Sequence, residues 1–210
     1  MIRKDIKSFA KSIPNNVKMV VATKYYDVND LKVLLENRIH DFGENRVDSF
    51  LSKYESLKGE EICWHFIGHL QRNKAKKVIN KINFLHSLDS LELAKLINDH
   101  REEKLDTLIE VSVNEEENKN GVKISELDDF VESVLKYPKV HLIGLMMMAI
   151  DGSNEGSLHA QFSKLREVRD HLEKKFQIQL PELSMGMSHD YQIAIAEGAT
   201  IIRLGHIIGE

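Results

Sequence analysis

Apolar and polar positions along the chain fall into two alternating rhythms. Short runs such as Val17-Lys18-Met19-Val20-Val21-Ala22 carry apolar residues on both sides of the alternation, the pattern of a strand buried on both faces. Between such runs, apolar residues return every three or four positions, as in Val28, Leu31, Leu34 and Leu35 or Val47, Phe50, Leu51, Tyr54 and Leu57, the pattern of helices with one buried stripe. An amphipathic lead-in helix through Ile2, Ile6, Phe9, Ala10 and Ile13 stops at Pro14. The rhythm then predicts a strand ending at Lys24 and further strands at 39–43, 63–67, 84–87, 107–113, 140–147, 183–187 and 199–205. Helix starts are predicted at Asp27 with Asp30, at Glu44, at Gln71, at Asp89 with Glu92, at Ser125, before Leu158 and at Ser188.

Eight strands separated by helices imply a parallel sheet, and eight units suffice to close it. The expected fold is α/β, a single (β/α)₈ TIM-like barrel spanning residues 1–210 as one domain; an open doubly wound sheet fits the same periodicity. Composition narrows the setting. The 29 basic and 33 acidic residues are mixed throughout, giving a net charge of −4 and no nucleic-acid or membrane surface. The first residues, Met1 to Lys7, are too charged for a signal peptide, and no apolar run reaches the roughly 18 residues that cross a bilayer. The expected location is cytoplasmic, and Cys63, without a second cysteine, fits a reducing compartment.

In a barrel, chemistry collects at the carboxyl ends of the strands, with a phosphate commonly held after strands seven and eight. Lys24 ends the first strand. An amine shielded at an apolar mouth can condense with a carbonyl as a Schiff base, although lysines also end strands simply because strands end at the surface. Gly186-Met187-Ser188 follows strand seven and Arg203-Leu204-Gly205-His206 follows strand eight, offering backbone amides and a hydroxyl to an anion; the same residues serve equally as turns and a cap. Arg203 lies between Ile202 and Leu204, and a guanidinium there demands partners. Asn45, after strand two, fits a turn or a ligand contact. His65 and His69 straddle a strand end with no carboxylate cluster beside them, which argues against a metal site. Met146-Met147-Met148 reads as core and rim, and Arg72 to Lys77 as a solvated basic face.

Several blocks together resemble one family. They are Val20-Val21-Ala22-Thr23-Lys24, Phe42-Gly43-Glu44-Asn45, Trp64 to Lys74, Glu117-Asn118-Lys119-Asn120-Gly121, Leu183-Ser184-Met185-Gly186-Met187-Ser188 with Asp190, and Ala194 to Thr200 with Arg203-Leu204-Gly205. The chain resembles the pyridoxal phosphate homeostasis protein family, also known as the proline synthetase co-transcribed homologue family. The resemblance implies a barrel like the amino-terminal domain of alanine racemase and pyridoxal 5′-phosphate as cofactor. It also implies a Schiff base on Lys24, contacts from Asn45 and Met185, a phosphate site at Ser188, Gly205 and His206, and Arg203 facing the pyridine nitrogen. Members bind and buffer or deliver the cofactor, so the implied partners are the cofactor and, transiently, apo enzymes that use it. A monomer without catalytic activity is expected. At His206 members have threonine, and at Tyr25-Tyr26 they have small or basic residues. The alternatives are an amino-acid racemase and a Schiff-base aldolase. An arginine at the ring nitrogen donates a hydrogen bond without protonating the ring, which weakens the electron sink a racemase needs.

Overall fold

The computed structural model describes residues 1–113 and 120–210, so the Glu117-Asn118-Lys119 part of the fourth resemblance block, and most of the polar loop around it, lie outside the described residues. Along the chain run α1 (Ile6–Ser12), β1 (Lys18–Ala22), α2 (Val28–Glu36), β2 (Asp41–Glu44), α3 (Val47–Ser56), β3 (Cys63–Phe66), α4 (Arg72–Ala75), β4 (Phe84–Leu88) and α5 (Leu91–His100). There follow β5 (Leu105–Ser112), β6 (Val122–Lys123), α6 (Leu127–Val134), β7 (Val140–Met146), α7 (Glu155–Phe176), β8 (Glu182–Ser184), α8 (Tyr191–Ala196) and β9 (Ile201–Leu204).

Every ladder between these strands is parallel. The order β4-β3-β2-β1-β9-β8-β7-β5 returns on itself through pairing of β4 with β5, so the sheet closes into the eight-stranded barrel and the open-sheet alternative is excluded. The short β6 was not anticipated; it adds to the far end of β5, Val111 against Val122, outside the ring. Lys18 to Val21 of β1 face Ile201 to Leu204 of β9, which places the amine loop after β1 beside the glycine loop after β9.

Alternation on the strands makes two apolar cores, as a small barrel requires. Inward residues Val20, Leu108, Ile143, Met146 and Ile201 form a separate inner cluster against Phe84. Outward residues such as Val21, Phe42, Phe66, Leu85 and Leu183 join the helices in one larger core, where Leu31 and Leu34 of α2, and Phe162, Leu165 and Leu172 of α7, are fully buried. Burying each such side chain is worth about 1.5–3 kcal/mol, which is what fixes the helices on the barrel. Asp27 and Asp30 form the expected capping box at the start of α2. No described helix is long and apolar enough to cross a membrane.

Several local expectations are corrected. Glu44 ends β2 and does not open a helix; α3 begins at Val47. The basic helix shrinks to Arg72–Ala75 followed by turns. Ser90 is the cap residue of α5, while Asp89 instead bonds His69 at 2.8 Å. Ser125 falls within a 3₁₀ turn, Ile124–Glu126, ahead of α6. Ser188 lies in a turn three residues before α8, because the Met187 amide donates to Asp190 Oδ1 at 2.5 Å and the Met187 carbonyl accepts from Tyr191. The carboxyl end of β8 thus meets a loop, and a helix dipole contributes nothing at Ser188.

Candidate functional site

Lys24 stands in a 3₁₀ turn, Thr23–Tyr25, immediately beyond β1. Of the two readings of a strand-ending lysine the structure matches the surface one: Lys24 is exposed, its Nζ 4.7 Å from the centre of the Tyr25 ring. The turn itself is held from below by a buried ion pair. Lys53 Nζ of α3 lies 2.5 Å from Glu44 Oε1 and donates to the Thr23 carbonyl at 2.5 Å, and Thr23 Oγ1 donates to the same carboxylate oxygen at 2.7 Å. Ser49 adds a fourth contact at 3.1 Å. The amine is therefore solvent-accessible on a backbone turn that is anchored. Neither Glu44 nor Lys53 was singled out as functional; the signal that could have found them was a lysine on the apolar face of α3, opposite a carboxylate at a strand end.

Beside this turn the loops after β8 and β9 meet. Ser188 Oγ accepts from the amides of Gly205 at 3.2 Å and Ile207 at 3.3 Å, so two backbone donors converge on one hydroxyl. The Gly205 carbonyl accepts from Tyr26 OH at 2.7 Å, and burial pushes the Tyr26 phenol up to about 12. A Cβ on Gly205 would meet the Tyr25 ring at 2.8 Å, so the ring would have to shift. His206 is exposed and lies against Tyr25 of the lysine turn, with ring centres 4.2 Å apart and planes tilted by 38°. Met185 is fully buried at the start of the loop after β8. The structure thus brings Ser188, Gly205, His206 and the turn of Lys24 together.

Arg203 of β9 is buried, as its apolar neighbours predicted, and finds the partners it needs. Nη1 donates to Ser184 Oγ at 2.7 Å and Nη2 to the Met147 carbonyl at 2.8 Å. Burial holds the guanidinium down, at about 10. Glu110 of β5 is also buried. Burial first, and Asp89 second, raise its carboxyl to about 7 against the pull of Arg203, which makes it a proton holder at the mouth that sequence reasoning missed. Its signal was a lone carboxylate inside the apolar run Leu108 to Val111.

Asn45 stands apart from this group. It shares a cavity of about 620 Å³ with Arg46, Ser49, His69, Gln71 and Lys74, and its Oδ1 is buried with no hydrogen-bond partner. His65 and His69 do not meet: His69 pairs with Asp89, whereas His65 points into the barrel. The absence of carboxylates near His65 is corrected by register, since Asp41 and Cys63 lie side by side and bring their donor atoms within 4.8 Å of its imidazole. Burial raises the Cys63 thiol to about 12.

The sequence model of the alanine racemase N-terminal domain family matches residues 1–208. A pyridoxal phosphate homeostasis protein of Aquifex aeolicus is 41% identical over 197 residues, covering 92% of this chain and 86% of the relative. Among solved structures, PipY of Synechococcus elongatus without PLP superposes with a TM-score of 0.93 at 29% identity over the whole of both chains. Its structure with PLP bound gives 0.89 at 27% identity, over 98% of this chain and all of that one. An alanine racemase of Clostridium difficile shares the barrel, with a TM-score of 0.80 at 16% identity over 99% of this chain and 57% of that one.

Proposed function

The chain belongs to the pyridoxal phosphate homeostasis protein family, a branch of the alanine racemase N-terminal domain fold, and from that membership we propose that it binds pyridoxal 5′-phosphate and buffers or delivers it inside the cell. The observation that carries the reading is the convergence of the Gly205 and Ile207 amides on Ser188, beside the turn of an exposed amine and directly after the strand that carries a buried arginine. These residues fit the cofactor. Two amides and a hydroxyl suit a phosphate, the accessible Lys24 amine suits an aldehyde, and Arg203 keeps three of its five N–H groups beyond the two bonds described for a ring nitrogen.

In this assignment Lys24 takes the aldehyde as a Schiff base, Ser188 with the Gly205 and His206 backbone cradles the phosphate, and Arg203 faces the pyridine nitrogen; contacts from Met185 and Asn45 rest on the family resemblance alone. The cofactor supplies a conjugated imine; the protein supplies binding and orientation. The residues 1–210 act as a single cofactor-binding domain, monomeric and cytoplasmic, meeting apo enzymes transiently and catalysing no turnover of its own. The test is direct. Purified protein should absorb in the visible, and borohydride reduction followed by peptide mapping should place the adduct on Lys24. An adduct on another lysine, with the chromophore retained in Lys24→Ala, would overturn the assignment.

A further inference from the structure

A chain of hydrogen bonds crosses the barrel interior from the mouth to the floor. Arg203 Nη1 lies 2.7 Å from Ser184 Oγ, Ser184 Oγ 2.9 Å from His86 Nδ1, His86 Nε2 2.9 Å from His65 Nδ1, and His65 Nε2 3.0 Å from Asp41 Oδ1. The links come from β9, β8, β4, β3 and β2 in turn, and Ser184, His86 and His65 are fully buried. His65 is further locked by stacking on Phe84, with ring centres 4.5 Å apart and planes 6° from parallel.

The two ends fix the direction of the chain. A guanidinium only donates, an ionised carboxylate only accepts, and a neutral imidazole does one at each nitrogen. Placing a proton on Nε2 of both rings satisfies every link: Arg203 donates to Ser184, Ser184 to His86 Nδ1, His86 Nε2–H to His65 Nδ1, and His65 Nε2–H to Asp41. The opposite tautomers would set a lone pair of His65 against the Asp41 carboxylate and leave the Ser184 hydroxyl proton without an acceptor in the chain, a loss comparable to an unmade buried hydrogen bond. The surroundings agree. Burial lowers both imidazoles below their usual range and so keeps them neutral. Burial pushes the Asp41 carboxyl up, but the hydrogen bonds from His65 and Cys63 and the charge of Lys18 outweigh it and hold the group below its usual range.

We propose that Ser184, His86 and His65, ended by Asp41, are positioning residues for Arg203: the one-way chain ties one guanidinium edge to the barrel interior and thereby aims the remaining N–H groups at the ring nitrogen of the cofactor. The proposal rests on the cofactor reading above. It separates recognition of the ring nitrogen, set by the chain, from recognition of the phosphate, set by the Ser188 loops.

Two measurements test it on the full chain. Long-range proton–nitrogen correlation spectra of ¹⁵N-labelled, cofactor-free protein at neutral pH, with His65→Gln and His86→Gln for assignment, should show both rings neutral with the proton on Nε2. A ring protonated on Nδ1, or doubly protonated, would overturn the chain. Affinity is then compared for pyridoxal 5′-phosphate and its 1-deaza analogue, which carries C–H in place of the ring nitrogen. His86→Phe should weaken the natural cofactor about tenfold, the worth of one hydrogen bond, and the analogue less than about twofold. Ser184→Ala should do the same if the phenylalanine variant folds poorly. Equal losses for both ligands would mean a merely structural role and end the proposal. Failure of the wild type to bind either ligand would sink the cofactor reading itself, and the ring-facing role of Arg203 with it, while the tautomers would still report the chain.

Discussion

Single residues were legible where chemistry and neighbours conflict. Arg203 between two apolar residues had to find acceptors, and the structure supplies Ser184 and the Met147 carbonyl. Ser188 was placed correctly against Gly205, but by loop contact, with no helix start behind it. Because its oxygen accepts from two amides that stay when it is removed, Ser188→Ala should lose about tenfold to a hundredfold in affinity for pyridoxal 5′-phosphate and little for pyridoxal. Titration of both ligands decides it, and an equal loss for the two would move the phosphate elsewhere. Glu110 was not legible, since its proton affinity depends on burial and on Asp89 across the mouth. Its carboxyl titrates near 7 in the fold against 4.5 ordinarily, so between those values the folded state keeps a proton that the unfolded state has lost. Stability therefore falls as pH rises through that window, by on the order of 3 kcal/mol in full, and the penalty is complete above about 7. His65 and His86, buried neutral, act oppositely and lose stability as pH falls below their ordinary value of 6.5. The stability difference between Glu110→Gln and wild type cancels the histidines and should grow from pH 4.5 to 7, then level off; a flat difference in denaturant titrations would show that Glu110 is ionised throughout.

At the level of elements, periodicity found the strands and most helices, and it failed at their ends. The Asp27–Asp30 box was readable because both halves sit in one turn, with Asp27 Oδ1 accepting from the Asp30 amide at 2.9 Å. Glu44 was misread because its partner is nine positions away on α3, and a local rule sees only an acidic residue before an apolar run. The pair matters to the element that carries Lys24, since Lys53 holds the Thr23 carbonyl as well as the carboxylate. Lys53→Met strands a fully buried carboxylate and should cost about 3–5 kcal/mol in chemical denaturation. It should also loosen the lysine turn and weaken cofactor binding, whereas Lys53→Met combined with Glu44→Gln should regain most of the stability. If Lys53→Met is as stable as wild type, the ion pair does not anchor the turn.

For the whole molecule, the count of eight strand–helix units already implied closure, and the β1–β9 and β4–β5 ladders provide it. What the count could not show is which inward positions would meet across the barrel. His65 and His86 are separated by a helix and two loops in sequence, and the pairing of adjacent strands brings His65 Nδ1 and His86 Nε2 to 2.9 Å. The assembled mouth bears on whether the molecule turns over amino acids. Removal of an α-proton needs an electron sink, and in the proposed assignment the ring nitrogen would face a guanidinium held at about 10, which donates a hydrogen bond without giving up its proton. Inside the barrel Arg203 is tied to Ser184 and Met147, so it has no route to give way to a carboxylate. Glu110, a buried carboxyl raised to about 7, responds to Arg203, Asp89 and His69. Deuterium exchange at the α-carbon of alanine, serine and other free amino acids should therefore run far below the roughly 1 s⁻¹ at which enzymes begin. Exchange at or above that rate in wild type would sink the non-catalytic reading; its loss in His206→Ala would then name the exposed imidazole beside Tyr25 as the acid or base responsible.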